Sequence, residues 1–352
     1  MAEIMTDEVV HVLETTIMLL LVILTGLFLN RKNFLDERST KRLSIFVVDI
    51  AFPALVFTSM LRNIDPQNLS EFWLLPFMGI DIFLLGMGIG YLVSPLFKSG
   101  NGSRRGSVAF TIGTPNWLFI PLPIAIALYG DLGQEIVLLV NVGALLVFWS
   151  VGVWMVRGGK PDFQSLRRLV LNPGLLATVF GIIVTLAFPM ARTLEQADVT
   201  GLAPGPALLS IVLQAMAFVG GVTVPLSMIV TGSLLAESGT RGSLNVRVIS
   251  VSAIRLLLIP VIVMVLIRLA EMTGLHMKDA VSTTLVIISA MPVAITCSIV
   301  AKKHGGDVPL VSHSIFTSTM ASVITVPAIV WLMRLTGFQR SSIFLKEQGT
   351  FL

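Results

Sequence analysis

Apolar residues run along this chain in blocks of about twenty, separated by short polar stretches rich in arginine, lysine, glycine and proline. A helix needs about 20 mostly apolar residues to cross the hydrocarbon core of a bilayer. On that rule the pattern predicts ten membrane helices, near residues 9–30, 43–63, 70–94, 105–129, 132–156, 173–190, 205–236, 246–270, 279–302 and 308–336. The expected fold is an all-α polytopic membrane protein.

Two of these blocks are interrupted. In FTIGTPNWLFIPLPIAIALYG, residues 110–130, Pro115 removes a backbone donor, and Pro121 and Pro123 remove two more. In TTLVIISAMPVAITCSIV, residues 283–300, Pro292 stands near the centre. Proline breaks a helix by losing an amide and clashing with the preceding turn. In hydrocarbon, the freed backbone groups are tolerated only where protein, water or a cavity satisfies them. Two interrupted spans, one in each half of a hydrophobic chain, are a sequence pointer to a transporter's binding site.

Composition agrees. The 352 residues are 55% hydrophobic and 12% charged, with mean hydropathy +0.90; soluble domains carry about 25% charged residues. The basic residues lie in short connections between apolar blocks, which fits topology-setting charge better than a nucleic-acid stripe. Sixteen of the 24 lysines and arginines fall in odd-numbered connections, from Arg31–Arg42 to Lys302 and Lys303. Seven fall in the even-numbered connections and the tail, among them Arg62, Arg192, Arg268 and Lys278, and Arg255 lies inside helix 8. The positive-inside rule then places the basic loops in the cytoplasm and both termini outside, in a multi-pass protein of the plasma (inner) membrane. No basic leader precedes the first block, so no cleaved signal peptide is expected. Cys297, the one cysteine, reads as an inert core residue.

Five helices per half is an odd number, so the second half would enter the membrane inverted. The repeats would be 1–156 and 173–336, joined by a short cytoplasmic connection at 157–172 and followed by a tail at 337–352. Pro53 and Pro225 are offset by 172 residues, and Pro115 and Pro292 by 177. The Gly86–Gly90 pair in helix 3 reads as a packing face, because small residues let helices approach closely.

The breaks also hold the candidate site. The N-terminal end of a half-helix carries roughly half a positive charge and unpaired amides, which suits a carboxylate. Thr114, Asn116 and Trp117 stand at the first break; Val293 and Thr296 follow Pro292 at the second. Asn116 is placed either to cap a half-helix or to donate its amide to a ligand. Asp81 lies deep in helix 3, and an ionisable group in a span is a functional-site hypothesis by default. Its readings are proton acceptor, cation ligand or ionic partner of Arg255, which lies 174 residues on. Asp49 and Glu14 lie nearer helix ends. Asn141 and His313 are mid-span polar residues offset by 172, and either lines a cavity or bonds a neighbouring helix. No phosphate-binding loop, metal-ligand spacing or nucleophile–base set is present, so an enzyme, a cofactor and ATP-driven pumping by this chain are not expected.

The motifs TPNWLFIPLPIAIALYG and SAMPVAITCSIVAKKHGGD resemble the two crossovers of the auxin efflux carrier family, to which the plant auxin transporters belong. AFPALVFTSML, LNPGLLATVFG, VPLSMIVTGSLLA and VRVISVSAIRLLLIP extend the resemblance across almost the whole chain. It implies a five-plus-five inverted repeat with broken, crossing helices 4 and 9. It further implies a scaffold of helices 1, 2, 6 and 7, often dimeric, and mobile helices 3–5 and 8–10. The substrate would be a small organic anion, auxin-like or a dicarboxylate, held at Pro115, Asn116 and Pro292. Trp117 replaces the small residue usual after the asparagine. Leu85 stands where a lysine accompanies the family's acidic residue, which Asp81 matches. The rival expectations are a sodium- or proton-coupled carrier of related fold and a ligand-binding membrane sensor.

Overall fold

A computed structural model describes residues 2–63, 73–97, 102–158, 167, 170–188, 190–198, 200, 202–238, 245–274 and 277–338. Most of the 157–172 connection and nearly all of the tail lie outside the described residues. The elements are helical throughout: α1 (Ala2–Arg31), α2 (Glu37–Asn63), α3 (Leu75–Phe97), α4 (Gly102–Gly113) and α5 (Pro121–Val156). There follow α6 (Pro173–Ala187), α7 (Met190–Gln196), α8 (Pro204–Gly221) and α9 (Thr223–Ser238). The last are α10 (Val246–Met272), α11 (Asp279–Ser289), α12 (Thr296–His304) and α13 (Val308–Leu335). Among the described residues, seven helical stretches are long and apolar enough to cross a membrane, with α8 and α9 counted as one. The other apolar helices of ten residues or more, α6 and α11, are shorter.

The differences from the hydropathy pattern have local causes. α2 starts at Glu37 rather than 43, because the polar ERSTKR stretch is helical although too hydrophilic to count as span. Asp36 caps it by accepting the Ser39 amide at 2.8 Å, and these bonds hold the Asp36 carboxyl below its ordinary range. Between α8 and α9 the helix breaks at Val222. Pro225 lies in the first turn of α9, where the missing amide costs nothing. Pro121 and Pro123 likewise begin α5 rather than break a helix. The expected gap between helices 4 and 5 is one residue, Gly130, at φ 56° and ψ −136°. There the chain folds back. A Cβ on Gly133 would lie 2.1 Å from the Ala125 carbonyl oxygen, whereas eight residues of straight helix span about 12 Å.

α1 packs along α9, and α2 against α6 and α8; α3 packs on α4 and α5, and α10 lies against α13. Without a hydrophobic drive between helices in lipid, close packing has to hold them together. Two crossings are set by reciprocal glycines. A Cβ on Gly26 would stand 2.0 Å from Ile229 O, and one on Gly232 would stand 1.8 Å from Ile23 O. Gly79 and Gly143 make the same exchange between α3 and α5, against Val140 O at 2.3 Å and Pro76 O at 1.7 Å. Gly86 and Gly90 meet the backbone of Gly113 and Ala109 on α4, as a packing face should.

Candidate functional site

α4 ends at Gly113 and α11 at Ser289, with Ala290 still αR, and non-helical chain follows each. The two non-helical pieces lie antiparallel, bridged at Pro115 and Val293. The Asn116 amide donates to Pro292 O at 2.6 Å, and the Ala294 amide donates to Thr114 O at 3.1 Å. A third bond closes the set: the Val293 amide donates to Ser318 Oγ on α13 at 3.0 Å. Backbone freed from the helices is thereby satisfied by backbone, as the low-dielectric interior demands. The local two-fold of this ladder pairs Pro115 with Val293, an offset of 178, and so displaces the Pro115–Pro292 match by one residue.

Of the expected site residues, the ladder gathers Thr114, Pro115, Asn116, Pro292 and Val293. All five are buried, and Thr296 follows, half-buried, at the start of α12. Asn116 Oδ1 accepts the Phe119 amide at 3.2 Å, capping the turn that leads into α5. Its Nδ2 makes no hydrogen bond among the described residues. The hydroxyls of Thr114 and Thr296 are also buried without a hydrogen-bond partner there. Trp117 is 8% exposed and sits between Phe83 and Phe148, each ring centroid 5.2 Å away. Its Nε1 donates to Asn141 Oδ1 at 2.8 Å. Asn141 is thus at the site, but its oxygen already belongs to Trp117, and its Nδ2 is buried without a partner.

The Asp81–Arg255 pair does not form. Asp81 is exposed, on the α3 stripe of Phe77, Leu84 and Tyr91. Arg255, 0% exposed, spends its donors on carbonyls at the ends of the broken helices. A guanidinium with its charge balanced by helix ends has no need of a carboxylate. His313 is half-buried on α13 and makes no hydrogen bond among the described residues. Glu14 is exposed beside His11 at 3.4 Å. Asp49 is exposed on the π-helical segment Val47–Ala51 of α2. It lines two clefts, one of about 710 Å³ against α6 and α8 and one of about 490 Å³ beside Trp149 and Arg167. The larger is an open apolar groove on the outside of α2, away from every crossover residue. The unpartnered Thr114 and Thr296 hydroxyls and Asn141 Nδ2 lie instead at or beside the crossover. Cys297 is fully buried, as expected of a core residue.

Sequence reasoning missed Ser318, Phe83 and Phe148. The Ser/Thr run SHSIFTSTMAS in α13 is the signal that could have found Ser318. Ser318→Ala should lower the melting temperature by several degrees, because it leaves the buried Val293 amide unpaired at a cost of about 1–3 kcal/mol. Ser318→Thr should restore it; equal melting of Ala and Thr variants would show that the bond carries nothing.

A helical bundle with, among the described residues, seven helices long and apolar enough to cross a membrane, and with interrupted stretches that meet inside it, has the build of a membrane transporter. Likeness to known proteins gives the family. The chain belongs to the family described as membrane transport protein, which matches residues 11–164 and 160–330. This is the auxin efflux carrier family that the crossover motifs resemble. The chain is 27% identical over 316 residues to an uncharacterized transporter of Methanothermobacter thermautotrophicus, covering 89% of this chain and 96% of that protein. It is 23% identical over 327 residues to an uncharacterized transporter of Methanocaldococcus jannaschii, covering 91% and 98%. The protein is a multi-pass membrane transporter, and not an enzyme.

Proposed function

We propose that this transporter is a secondary carrier of a small organic carboxylate, auxin-like or a dicarboxylic acid, with its site at the crossover. One observation carries the reading. The C-terminal ends of α4 and α11 are answered by Arg255, while the N-caps of α5 and α12, Ile120 and Ile295, make no side-chain cap bond. Each such N-terminus brings roughly half a positive charge. Its own first amides are spent: Pro121 and Pro123 have none, and those of Leu122, Cys297 and Ser298 bond Leu118 O, Ala294 O and Ile295 O. The donors left for a ligand are therefore side chains. Beside them stand Asn116 Nδ2, Asn141 Nδ2 and the hydroxyls of Thr114 and Thr296. That is a donor-rich, net positive place in an apolar interior, and it suits an anion.

Carriage follows from the packing. The ladder ties α4–α5 to α11–α13, with α3 and α10 against them. In the proposed elevator this group shifts against a scaffold of α1, α2, α6, α8 and α9, which are helices 1, 2, 6 and 7 of the ten-span reading. Folding back at Gly130 favours ten crossings in two inverted halves over a literal seven, because it divides α5 into two arms. The membrane potential acting on the anion supplies about 2.3 kcal/mol per charge per 100 mV. The charge pattern of the loops supports an orientation with both termini outside, and a homodimer through the scaffold is part of the proposal.

The test is flux of radiolabelled carboxylates (indole-acetate, malate, malonate) into proteoliposomes, with and without an imposed potential or sodium gradient. Saturable, sodium-independent flux is expected. Asn116→Ala should reduce it about 10- to 100-fold, the worth of a lost hydrogen bond to a charged group. Binding without flux would replace the carrier with a sensor. Flux untouched by Asn116→Ala would move the site elsewhere.

A further inference from the structure

Arg255 is the largest fully buried side chain of the described residues, and among them no carboxylate pairs with it. It projects from the π-helical segment Ile254–Leu258 of α10, a distortion that re-aims a side chain relative to regular helix. Its Nη1 donates to Ile112 O at 2.8 Å, its Nε to Met291 O at 3.2 Å, and its Nη2 to Ser289 O. Ile112 lies in the last turn of α4, Ser289 ends α11, and Met291 lies in the non-helical piece beyond. Gly86 packs beside it: a Cβ there would touch Arg255 Nη1 at an ordinary 3.5 Å but would stand 2.9 Å from Gly113 Cα, so this glycine serves the approach of α4 to α3.

Three carbonyl oxygens from two helix C-termini and an unwound strand are the ligand set that coupling cations use in carriers built from broken helices. Each C-terminus brings roughly half a negative charge. Together they amount to about one charge, which one guanidinium cancels. We infer that these carbonyls form a monovalent cation site that the chain fills with its own Arg255, so that a tethered guanidinium takes the place of a coupling ion. The site has its neutralising charge in every state of the cycle, and no free sodium is needed to close it.

For transport, this inference rests on the carrier reading, and it deepens that reading: sodium-independent flux is the consequence. The site itself is tested without flux, by melting of purified full-length protein in nanodiscs. Wild type should melt at the same temperature in sodium chloride and in choline chloride. A saturable sodium-dependent rise would overturn the inference, since an ion would then still find those oxygens. Arg255→Gly should lose at least about 5 °C. Guanidinium chloride at low millimolar concentration should restore half or more of the loss, saturably, while urea of the same shape and concentration restores none. Equal recovery by both, or by neither, would make Arg255 a packing residue only. If Arg255→Gly yields no folded protein, Arg255→Lys must melt above the neutral Arg255→Gln; the reverse order overturns the inference. None of these readouts involves substrate, so absence of flux in wild type would count against the carrier and leave the cation site standing.

Discussion

Gly143→Leu is expected to abolish recovery of folded transporter, seen as loss of the monodisperse peak in fluorescence-detected size exclusion. Even the first carbon of a side chain at 143 would sit 1.7 Å from Pro76 O and 2.7 Å from Pro76 C, with Ile80 N at 3.0 Å. These are backbone atoms, so no rotamer change relieves the clash; α3 and α5 have to separate. Overpacking a well-formed core costs about 1–3 kcal/mol where side chains give way, and more where they cannot. Separation would also open the crossing at Gly79, whose Cβ would meet Val140 O at 2.3 Å. That crossing carries Phe83 and Asn141, and so the wall around Trp117. Gly88→Leu is the control. It lies on the same helix as Gly79, and a Cβ there would have nothing within 4 Å, so it should give a wild-type peak. A normal peak from Gly143→Leu would refute the close crossing, and a lost peak from Gly88→Leu would show that any bulk on α3 is harmful.

Both breaks were legible because proline advertises the loss of an amide, and a proline within an apolar block has few explanations. Their meeting was legible only through resemblance. The atoms that join them are backbone N–H and C=O groups of residues about 180 positions apart, and backbone groups carry no residue signature. The same blindness misplaces Arg255. On charges alone, an arginine in a span calls for an acid, and Asp81 is the acid at hand. Its actual acceptors are carbonyls 34, 36 and 143 residues away, made available by helix ends that hydropathy does not resolve. Trp117 reads in the sequence as bulk at the break, and nothing there announces the indole N–H bond to Asn141. Two polar groups on different spans look equally ready for a ligand until the fold brings them together. Helix starts are misjudged for a simpler reason: ERSTKR at the start of α2 is helical but polar, and a search for apolar length passes over it.

Trp117→Ala should produce the largest loss of stability of any single change at the crossover. The indole is buried at 8% exposure, packs edge-on against Phe83 at 78° and tilted against Phe148 at 44°, and bonds Asn141. Truncating a buried aromatic to alanine costs about 3–5 kcal/mol, of which aromatic pairing accounts for about 0.5–1.5 kcal/mol per contact. A drop of roughly 5 °C in melting temperature follows for a chain of this size. Trp117→Phe separates the causes. It keeps a ring between Phe83 and Phe148 but removes the N–H, leaving Asn141 Oδ1 buried and unpaired at about 1–3 kcal/mol. Replacing both partners by apolar groups of similar shape is nearly neutral, so Trp117→Phe with Asn141→Leu should melt above Trp117→Phe alone. If the double variant melts lower, Asn141 is held by more than Trp117. Flux then decides what the pair does. Asn141→Leu in a Trp117→Phe background removes a donor from the proposed anion site while keeping the packing. Stability recovered together with flux lost would make Asn141 a substrate ligand as well as a partner of Trp117. Flux kept would leave anion binding to Asn116, the threonines and the helix ends.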